Sequence, residues 1–299
     1  MELIRGLHNL KNQTGCALTI GNFDGVHVGH QEIIKKLVST AKNLNVPSLV
    51  VSFSVTPESF FGRPKARLSS FRDKHLYLKS LGVDKHLLIR FNGGFSQISA
   101  QSFIDDVLVK KIKVKYCYVG DDFRFGKDRL GDCDMLQERS IDHGFTVEIV
   151  DGVGIDNQRV SSSAIRKLLS SGDFQTAEKL LGRPFAISGR VAHGDKQGRT
   201  IGFPTANISI RRKLSPVLGV FSVLIRINNI TYKGVCNVGK RPTLGGLKVL
   251  LEVFIFDFNQ EIYGSYVTVF FKQKCREKYQ AFYPWWEANW ELGVPEWHK

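Results

Sequence analysis

Two histidines three residues apart, His27 and His30, stand in the run Gly21-Asn22-Phe23-Asp24-Gly25-Val26-His27-Val28-Gly29-His30. Imidazoles so placed can donate hydrogen bonds to phosphate oxygens as charge builds on them. Before the run lies Ala17-Leu18-Thr19-Ile20, a short apolar stretch that reads as a buried strand. After it, Glu32-Ile33-Ile34-Lys35-Lys36-Leu37-Val38 carries apolar residues at helical spacing. A strand, a tight glycine-containing turn and a helix start follow one another. An α/β fold binds phosphate at such a place, because free N–H groups and the positive end of the helix dipole face the crevice. In a first helical turn, residues three apart share one face. The competing reading is one buried and one surface histidine on an ordinary helix. The preceding strand, the glycines Gly25 and Gly29 and the amphipathic helix favour phosphate binding.

The His-x-Gly-His spacing resembles the signature of nucleotidyltransferases, which join a nucleoside monophosphate to an acceptor and release pyrophosphate. Two further segments could serve the same chemistry. Val119-Gly120-Asp121-Asp122-Phe123-Arg124-Phe125-Gly126 ends a strand with a loop, which at the carboxyl end of a parallel strand faces the ligand crevice. Taken alone it is equally a surface turn. Arg159-Val160-Ser161-Ser162-Ser163-Ala164-Ile165-Arg166 offers an N-cap, hydroxyl donors and two guanidinium forks suited to phosphate. Taken alone it is a capped helix.

These residues must be positioned by a scaffold, and the chain changes character near Gly182-Arg183-Pro184. Before that point strands alternate with helices. Segments 48–53, 85–91, 115–120 and 146–150 read as strands, the stretch from Ala100 to Leu108 reads as a helix, and helices from Ser161 and Asp173 close the half. After Pro184, period-2 segments appear at 185–191, 219–227, 230–235, 249–256 and 266–271, with Asn228-Asn229 as a hairpin turn. The pattern predicts a parallel-sheet α/β domain over residues 1–182 and a small antiparallel β-barrel over 183–299, joined by a short hinge.

Composition bounds the partners. The 299 residues suit two domains, and no stretch of 18 apolar residues exists to cross a membrane. The N-terminus lacks the apolar core of a signal peptide. Five cysteines, at 16, 117, 133, 236 and 275, are odd in number and widely spaced. They fit reduced cytoplasmic thiols better than disulfides or a zinc site. Net charge is +14, and the 183–299 half holds +9 of it. The basic runs lack interleaved aromatics, so the charge reads as a solvated surface that attracts anionic nucleotides, with no nucleic-acid partner expected.

The motifs in this order and at these separations resemble the bacterial bifunctional riboflavin kinase/FMN adenylyltransferase (FAD synthetase) family. The second half agrees through Leu181-Gly182-Arg183-Pro184-Phe185, Gly198-Arg199-Thr200-Ile201-Gly202-Phe203-Pro204-Thr205-Ala206-Asn207, Asn237-Val238-Gly239-Lys240-Arg241-Pro242-Thr243 and Leu251-Glu252-Val253. The likeness spans about residues 15 to 282. It implies a Rossmann-like nucleotidyltransferase domain that adenylylates FMN with ATP, followed by a riboflavin kinase barrel. Riboflavin, FMN, FAD and ATP are the implied small molecules, with Mg2+ as cofactor. It further implies that His27 and His30 contact the ATP phosphates. Gly21, Asn22, Phe23, Asp24, Gly29, Asp122, Arg159, Ser162, Ser163 and Arg166 form that nucleotide site. Thr205 and Asn207 hold magnesium and nucleotide, and Glu252 is the base.

The chemistry is consistent with those roles. Thr205 and Asn207 are two apart in an extended segment, so they share a face, and both offer hard oxygen donors suited to Mg2+. The stretch around Gly198 and Gly202 lets backbone N–H groups approach a triphosphate. No P-loop motif occurs. Alone, Thr205-Ala206-Asn207 is a strand end with a turn. Glu252 lies mid-strand among apolar residues, either on a solvent face or placed in a site. The 5′-hydroxyl of riboflavin has a proton to lose, so its phosphorylation benefits from a general base. The phosphate of FMN is already anionic and needs only positioning and charge neutralisation.

Departures from the family pattern are visible. Val55-Thr56 precedes Pro57 where the family has a Pro-His pair. Phe254 stands where a histidine is common, and the C-terminal segment 282–292 is rich in tryptophan. Trp286 and Trp290 read as a packed cap or as a stacking surface for flavin. An alternative function is an FMN adenylyltransferase whose barrel binds flavin without kinase activity. Another is a basic nucleic-acid-binding barrel.

Overall fold

Five consecutive small or apolar residues, Cys16–Ile20, form strand β2, and all five are buried. A strand covered on both faces needs no polar alternation, and this one lies in the middle of a parallel sheet. In the computed structural model, which describes residues 1–11, 14–156, 158–192, 205–210, 213–243 and 246–276, the sheet has six strands. They are β1 (Glu2–Arg5), β2, β3 (Ser48–Val55), β4 (Lys85–Arg90), β5 (Val114–Gly120) and β6 (Thr146–Val150). Their order is β1-β4-β3-β2-β5-β6, with every neighbouring pair parallel.

The helices that cross over are α1 (Val28–Asn43), α2 (Phe71–Ser80), α3 and α4 (Cys133–His143). Helix α3 begins as Ala100–Ser102 and continues as a π-helical stretch, Phe103–Ile112. One face of the sheet buries Leu18, Leu49 and Leu87 with Ile104, Leu108 and Leu136. The other buries Ala17 and Val50 with Ile34, Leu37 and Leu78. Sequential strands run outward from β2 on one side and from β5 on the other. The strand order therefore reverses between β2 and β5, which opens a crevice at their carboxyl ends. A two-stranded hairpin, β7 (Gly154–Ile155) and β8 (Gln158–Arg159), leads to α5 (Ser162–Ser171) and α6 (Phe174–Leu181).

The period-2 segments build a closed six-stranded barrel. Its strands are β9 (Ala186–Ala192), β10 (Thr205–Ser209), β11 (Gly219–Ile227), β12 (Ile230–Thr243), β13 (Gly246–Ile255) and β14 (Tyr266–Arg276). The order β10-β13-β12-β11-β14-β9 closes through a β9–β10 pair, all antiparallel, so no strand edge is left open. Asn228 and Asn229 take φ of 46° and 69° between β11 and β12. Both central residues are left-handed, as a two-residue hairpin turn requires. No described helix is long and apolar enough to cross a membrane.

The chain divides into two compact units. The first is Met1–Lys167 with Gln175–Arg183, and the second is Leu168–Phe174 with the chain from Pro184 onward. The short segment 168–174 belongs with the barrel for a visible reason. Phe174 is buried, meets Phe221 edge-on at 5.7 Å and stacks on Phe271 at 6.0 Å. A barrel fragment starting at Leu168 should therefore unfold at higher urea than one starting at Arg183. Phe174→Ala in the longer fragment should cost about 3 kcal/mol, the usual loss for a deleted core phenyl ring. Equal midpoints for the two fragments would show that the ring adds nothing to the barrel.

Candidate functional site

Between β2 and α1 the backbone adopts left-handed φ three times, at Phe23 (45°), Gly25 (81°) and Val26 (42°). For glycine this is free; for a β-branched valine it is strained. A side chain at Gly25 would also put its Cβ 2.9 Å from Leu68 Cδ1. Side chains from elsewhere grip the carbonyl oxygens of the turn. Arg183 donates to Gly25 O and, at 3.1 Å, to Val26 O. Gln31 Nε2 donates to Val26 O at 2.9 Å, and Lys74 Nζ to Asn22 O at 2.6 Å. The Arg183 guanidinium lies 4.0 Å over the ring of Tyr77.

This turn delivers the histidines, with one change from the expectation that both stand in the first helical turn. Helix α1 begins at Val28, and His27 is its N-cap, with extended backbone. The His27 Nδ1 accepts a hydrogen bond from His30 N at 3.4 Å. The rings nevertheless stack, with centroids 3.6 Å apart and planes 17° apart. Phe23 backs His30 at 5.0 Å. Burial pushes the His27 pKa down to about 4, against the opposing pull of Asp24. Burial, reinforced by His27 and the positive charge of Lys74 and Arg183, holds His30 well below the usual imidazole range. Both rings are neutral at pH 7. Since Nδ1 of His27 accepts, its proton sits on Nε2, which leaves that atom as a donor.

The opposite wall comes from the serine run. Ser161 caps α5, its Oγ accepting from Ala164 N at 3.1 Å. Ser162 Oγ donates to Asp24 O at 3.0 Å, and Arg166 Nη2 donates to the Asp24 carboxylate at 2.5 Å. Asp24 also accepts from Leu68 N and Ser69 N, at 3.0 and 3.3 Å. Its carboxylate thus ties α5 and the 66–69 segment to the histidine turn. Arg159 pairs with Asp121 at 2.6 Å rather than with Asp122. Both partners are substantially exposed, so this pair adds about 0–1 kcal/mol at most.

Together these residues enclose a cavity of about 370 Å3 at the carboxyl ends of β2 and β5. Asn22, Asp24, His27, Gly29, His30, Asp122, Arg159, Ser162, Ser163 and Arg166 all border it, whereas Gly21 and Phe23 do not. Three helix N-termini open on it, those of α1, α2 and α5, through Gly29, Phe71 and Ser162. Each presents unpaired N–H groups and a positive dipole end to the space. Lys65, Arg67 and Lys74 also border it, and the sequence reading had missed them. The signal for Lys74 was present: Phe71, Lys74 and Leu78 fall on one face of a helix whose Leu78 is fully buried.

In the barrel, register brings three polar side chains abreast. Asn207 on β10 pairs with Glu252 on β13, which pairs with Asn237 on β12. Leu251 and Val253 are buried on the interior face, so Glu252 occupies the outer one, half-buried. Thr205 lies two residues from Asn207 on the same face. Asn237 belongs to the run from Asn237 to Thr243, and its place beside Glu252 follows from strand pairing alone. Gly198, Gly202 and the tryptophan-rich segment lie outside the described residues.

Residues 9–164 match the family model described as FAD synthetase, and residues 181–282 the model described as riboflavin kinase. The chain is 48% identical over 282 residues to the bifunctional riboflavin kinase/FMN adenylyltransferase of Haemophilus influenzae, covering 93% of this chain and 92% of that protein. It is 46% identical over 282 residues to the protein of the same name from Pseudomonas fluorescens, and 45% over 283 residues to that of Escherichia coli K12. Coverage in both cases is 93% of this chain and 90% of the relative. A crystal structure from Streptococcus pneumoniae, named a macrolide-efflux protein, superposes with a TM-score of 0.80 at 30% identity, over 97% of this chain and 96% of that one.

The neutral histidine pair has a measurable consequence. Imidazole NMR should show His27 with its proton on Nε2 at pH 7 and a titration midpoint near 4. An unfolded ring takes up its proton near 6.5. His27 therefore leaves the fold at full strength above pH 6.5 and weakens it progressively as pH falls toward 4. A folded-state midpoint at 6.5 would contradict the burial argument.

Proposed function

The chain belongs to the bifunctional riboflavin kinase/FMN adenylyltransferase family, and we propose how its two reactions divide among its residues. The enzyme phosphorylates riboflavin to FMN with ATP, then adenylylates FMN to FAD with release of pyrophosphate. In our reading, residues 1–182 carry the adenylyl transfer and residues 183–299 the kinase reaction. The observation that supports the first assignment is the stacked, neutral His27–His30 pair at the mouth of three helix N-termini. A phosphate oxygen of FMN attacks the α-phosphorus of ATP. The bond from that phosphorus to the bridging oxygen breaks, and pyrophosphate leaves with the electron pair. No proton has to move, so the site needs donors and charge rather than a base. His27 and His30 supply N–H donors, and Gly29 lets the start of α1 approach the phosphates. Arg159, Ser162, Ser163 and Arg166 form the far wall, and Asp122 stands at the rim. Asn22 and Asp24 hold the turn, which Gly21 and Phe23 shape.

The kinase reaction moves a phosphoryl group to a neutral hydroxyl, which must lose its proton. Glu252 takes that proton, with Asn207 and Asn237 beside it to fix the carboxylate. Thr205 and Asn207 would hold Mg2+. Among the described residues no cluster of three or more His, Cys, Asp or Glu could cage a metal. A hydroxyl and an amide oxygen on one strand face fit an ion that arrives on the nucleotide's phosphates. When bound, the ion neutralises charge on the transferring phosphoryl group. A cytoplasmic setting is part of this reading, supported by five cysteines that are all free thiols.

Two substitutions in the full chain separate the sites. His30→Ala should lower FAD formation by about 10²–10³-fold and leave FMN formation intact, because a lost donor to a transition state costs that much. Equal loss of both activities in a folded variant would contradict the division. Glu252→Gln keeps size and polarity but cannot accept a proton. Riboflavin phosphorylation should fall about 10²–10⁴-fold while adenylylation of supplied FMN persists. Near-normal kinase activity would leave Glu252 as a solvated strand residue.

A further inference from the structure

Lys74 belongs to the first turns of α2, is 8% exposed and borders the cavity. The only hydrogen-bond partner of its ammonium among the described residues is Asn22 O, at 2.6 Å. An ammonium has three donors, so two remain without a partner. Desolvating a charge in this way is costly unless something arrives to pair it. The nearby carboxylate offsets this only in part: Asp24 attracts the ammonium but makes its hydrogen bonds with Arg166 and two backbone N–H groups. Two more buried polar atoms near it lack a partner among the described residues, His30 Nδ1 and Asn22 Oδ1. Lys74, with unused donors, and His30, with an unsatisfied imidazole nitrogen, therefore border one cavity. A mere brace for Asn22 O would not need a full charge.

We propose that Lys74 binds a phosphate oxygen of the reacting nucleotides beside His30 and neutralises the charge that builds there during adenylyl transfer. The inference rests on the reading of this cavity as the adenylyl-transfer site. Lys74 keeps its proton throughout: the FMN oxygen bonds to the α-phosphorus, the bridging P–O bond breaks, and pyrophosphate takes the electrons. The shared chemistry is phosphate, and the oxygen belongs either to ATP or to FMN. Burial lowers the Lys74 pKa to about 8, opposed by the Asp24 charge. A bound phosphate would hold the proton in place, and the free enzyme would lose it on the alkaline side.

The test uses the full chain with Lys74→Met and Lys74→Arg, following FAD formation from FMN and ATP. The urea-unfolding transition of the full chain reports folding of the first unit, and FMN formation from riboflavin reports the barrel. Lys74→Met should lower kcat/KM for FAD formation about 10²-fold, and Lys74→Arg should recover most of it. Wild-type kcat/KM should decline as pH rises through about 8, and the arginine variant should lack that decline. A KM rise confined to ATP assigns the oxygen to ATP; one confined to FMN assigns it to FMN. Normal FAD formation by Lys74→Met with an impaired His30→Ala would overturn the role of Lys74 alone. Normal activity of both variants would overturn the reading of the cavity. If Lys74→Met loses both activities, the wild-type enzyme decides. On adding α,β-methylene-ATP and then FMN, the Lys74 ammonium NMR signal should shift and its titration midpoint should rise. An unchanged signal would overturn the proposal.

Discussion

The backbone turn between β2 and α1 is held in a conformation that it would not keep alone. Phe23 and Val26 are left-handed non-glycine residues, and each such residue costs on the order of 1–3 kcal/mol. Five side-chain hydrogen bonds to the carbonyls of the turn offset this, two from Arg183 and one each from Gln31, Lys74 and Ser162. Bonds from charged donors contribute roughly 1.5–3 kcal/mol each. The grip and the strain are thus of similar size, and the grip prevails. Its product is the position of His27, which caps α1 instead of entering it and so stacks on His30. The rest of the crevice is built outward from that point. Asp24, on the same turn, fastens α5 and the 66–69 segment.

The two chemistries explain why the two units look different. Adenylyl transfer to an anion needs a dense field of donors, and the crevice supplies helix N-termini, neutral imidazoles and cations. Keeping the imidazoles neutral matters, because an imidazolium pair stacked at 3.6 Å would repel itself in a buried place. Phosphorylation of a hydroxyl needs a base, and in the proposed reading Glu252, in its row of amides, is that base. That row exists only because β13 lies between β10 and β12, so Asn207 from an earlier strand meets the β12–β13 pair at one level.

Much of this was legible in the sequence. The strand-turn-helix run from Ala17 to Val38, the parallel pattern, five of the six barrel strands and the Asn228-Asn229 turn follow from period and turn chemistry, whereas Thr205–Ser209 reads as a strand end with a turn and becomes a full strand only through its pairing with β9 and β13. What was not legible depended on contacts between distant segments. The spacing of Phe71, Lys74 and Leu78 puts Lys74 on a buried helix face, but it does not say that the ammonium reaches the Asn22 carbonyl. Arg183 read as part of a hinge, yet its guanidinium serves a turn more than 150 residues earlier. Asp24 borders the cavity, and its carboxylate is held there by Arg166 and two backbone N–H groups from segments that the sequence does not place beside it. Phe174 read as the start of a closing helix, and only tertiary packing joins it to the barrel.

The central claim is that the crevice acts by holding phosphates and takes no covalent part in the transfer. His27 Nδ1 is already engaged by His30 N, which leaves that ring as a donor and not as a nucleophile. The most direct measurement is the stereochemical course at the α-phosphorus, using ATP made chiral there by sulfur substitution and FMN as acceptor. A single direct attack inverts the configuration in the FAD analogue formed, and inversion is the predicted result. Retention would mean two displacements through an adenylyl-enzyme and would contradict the account.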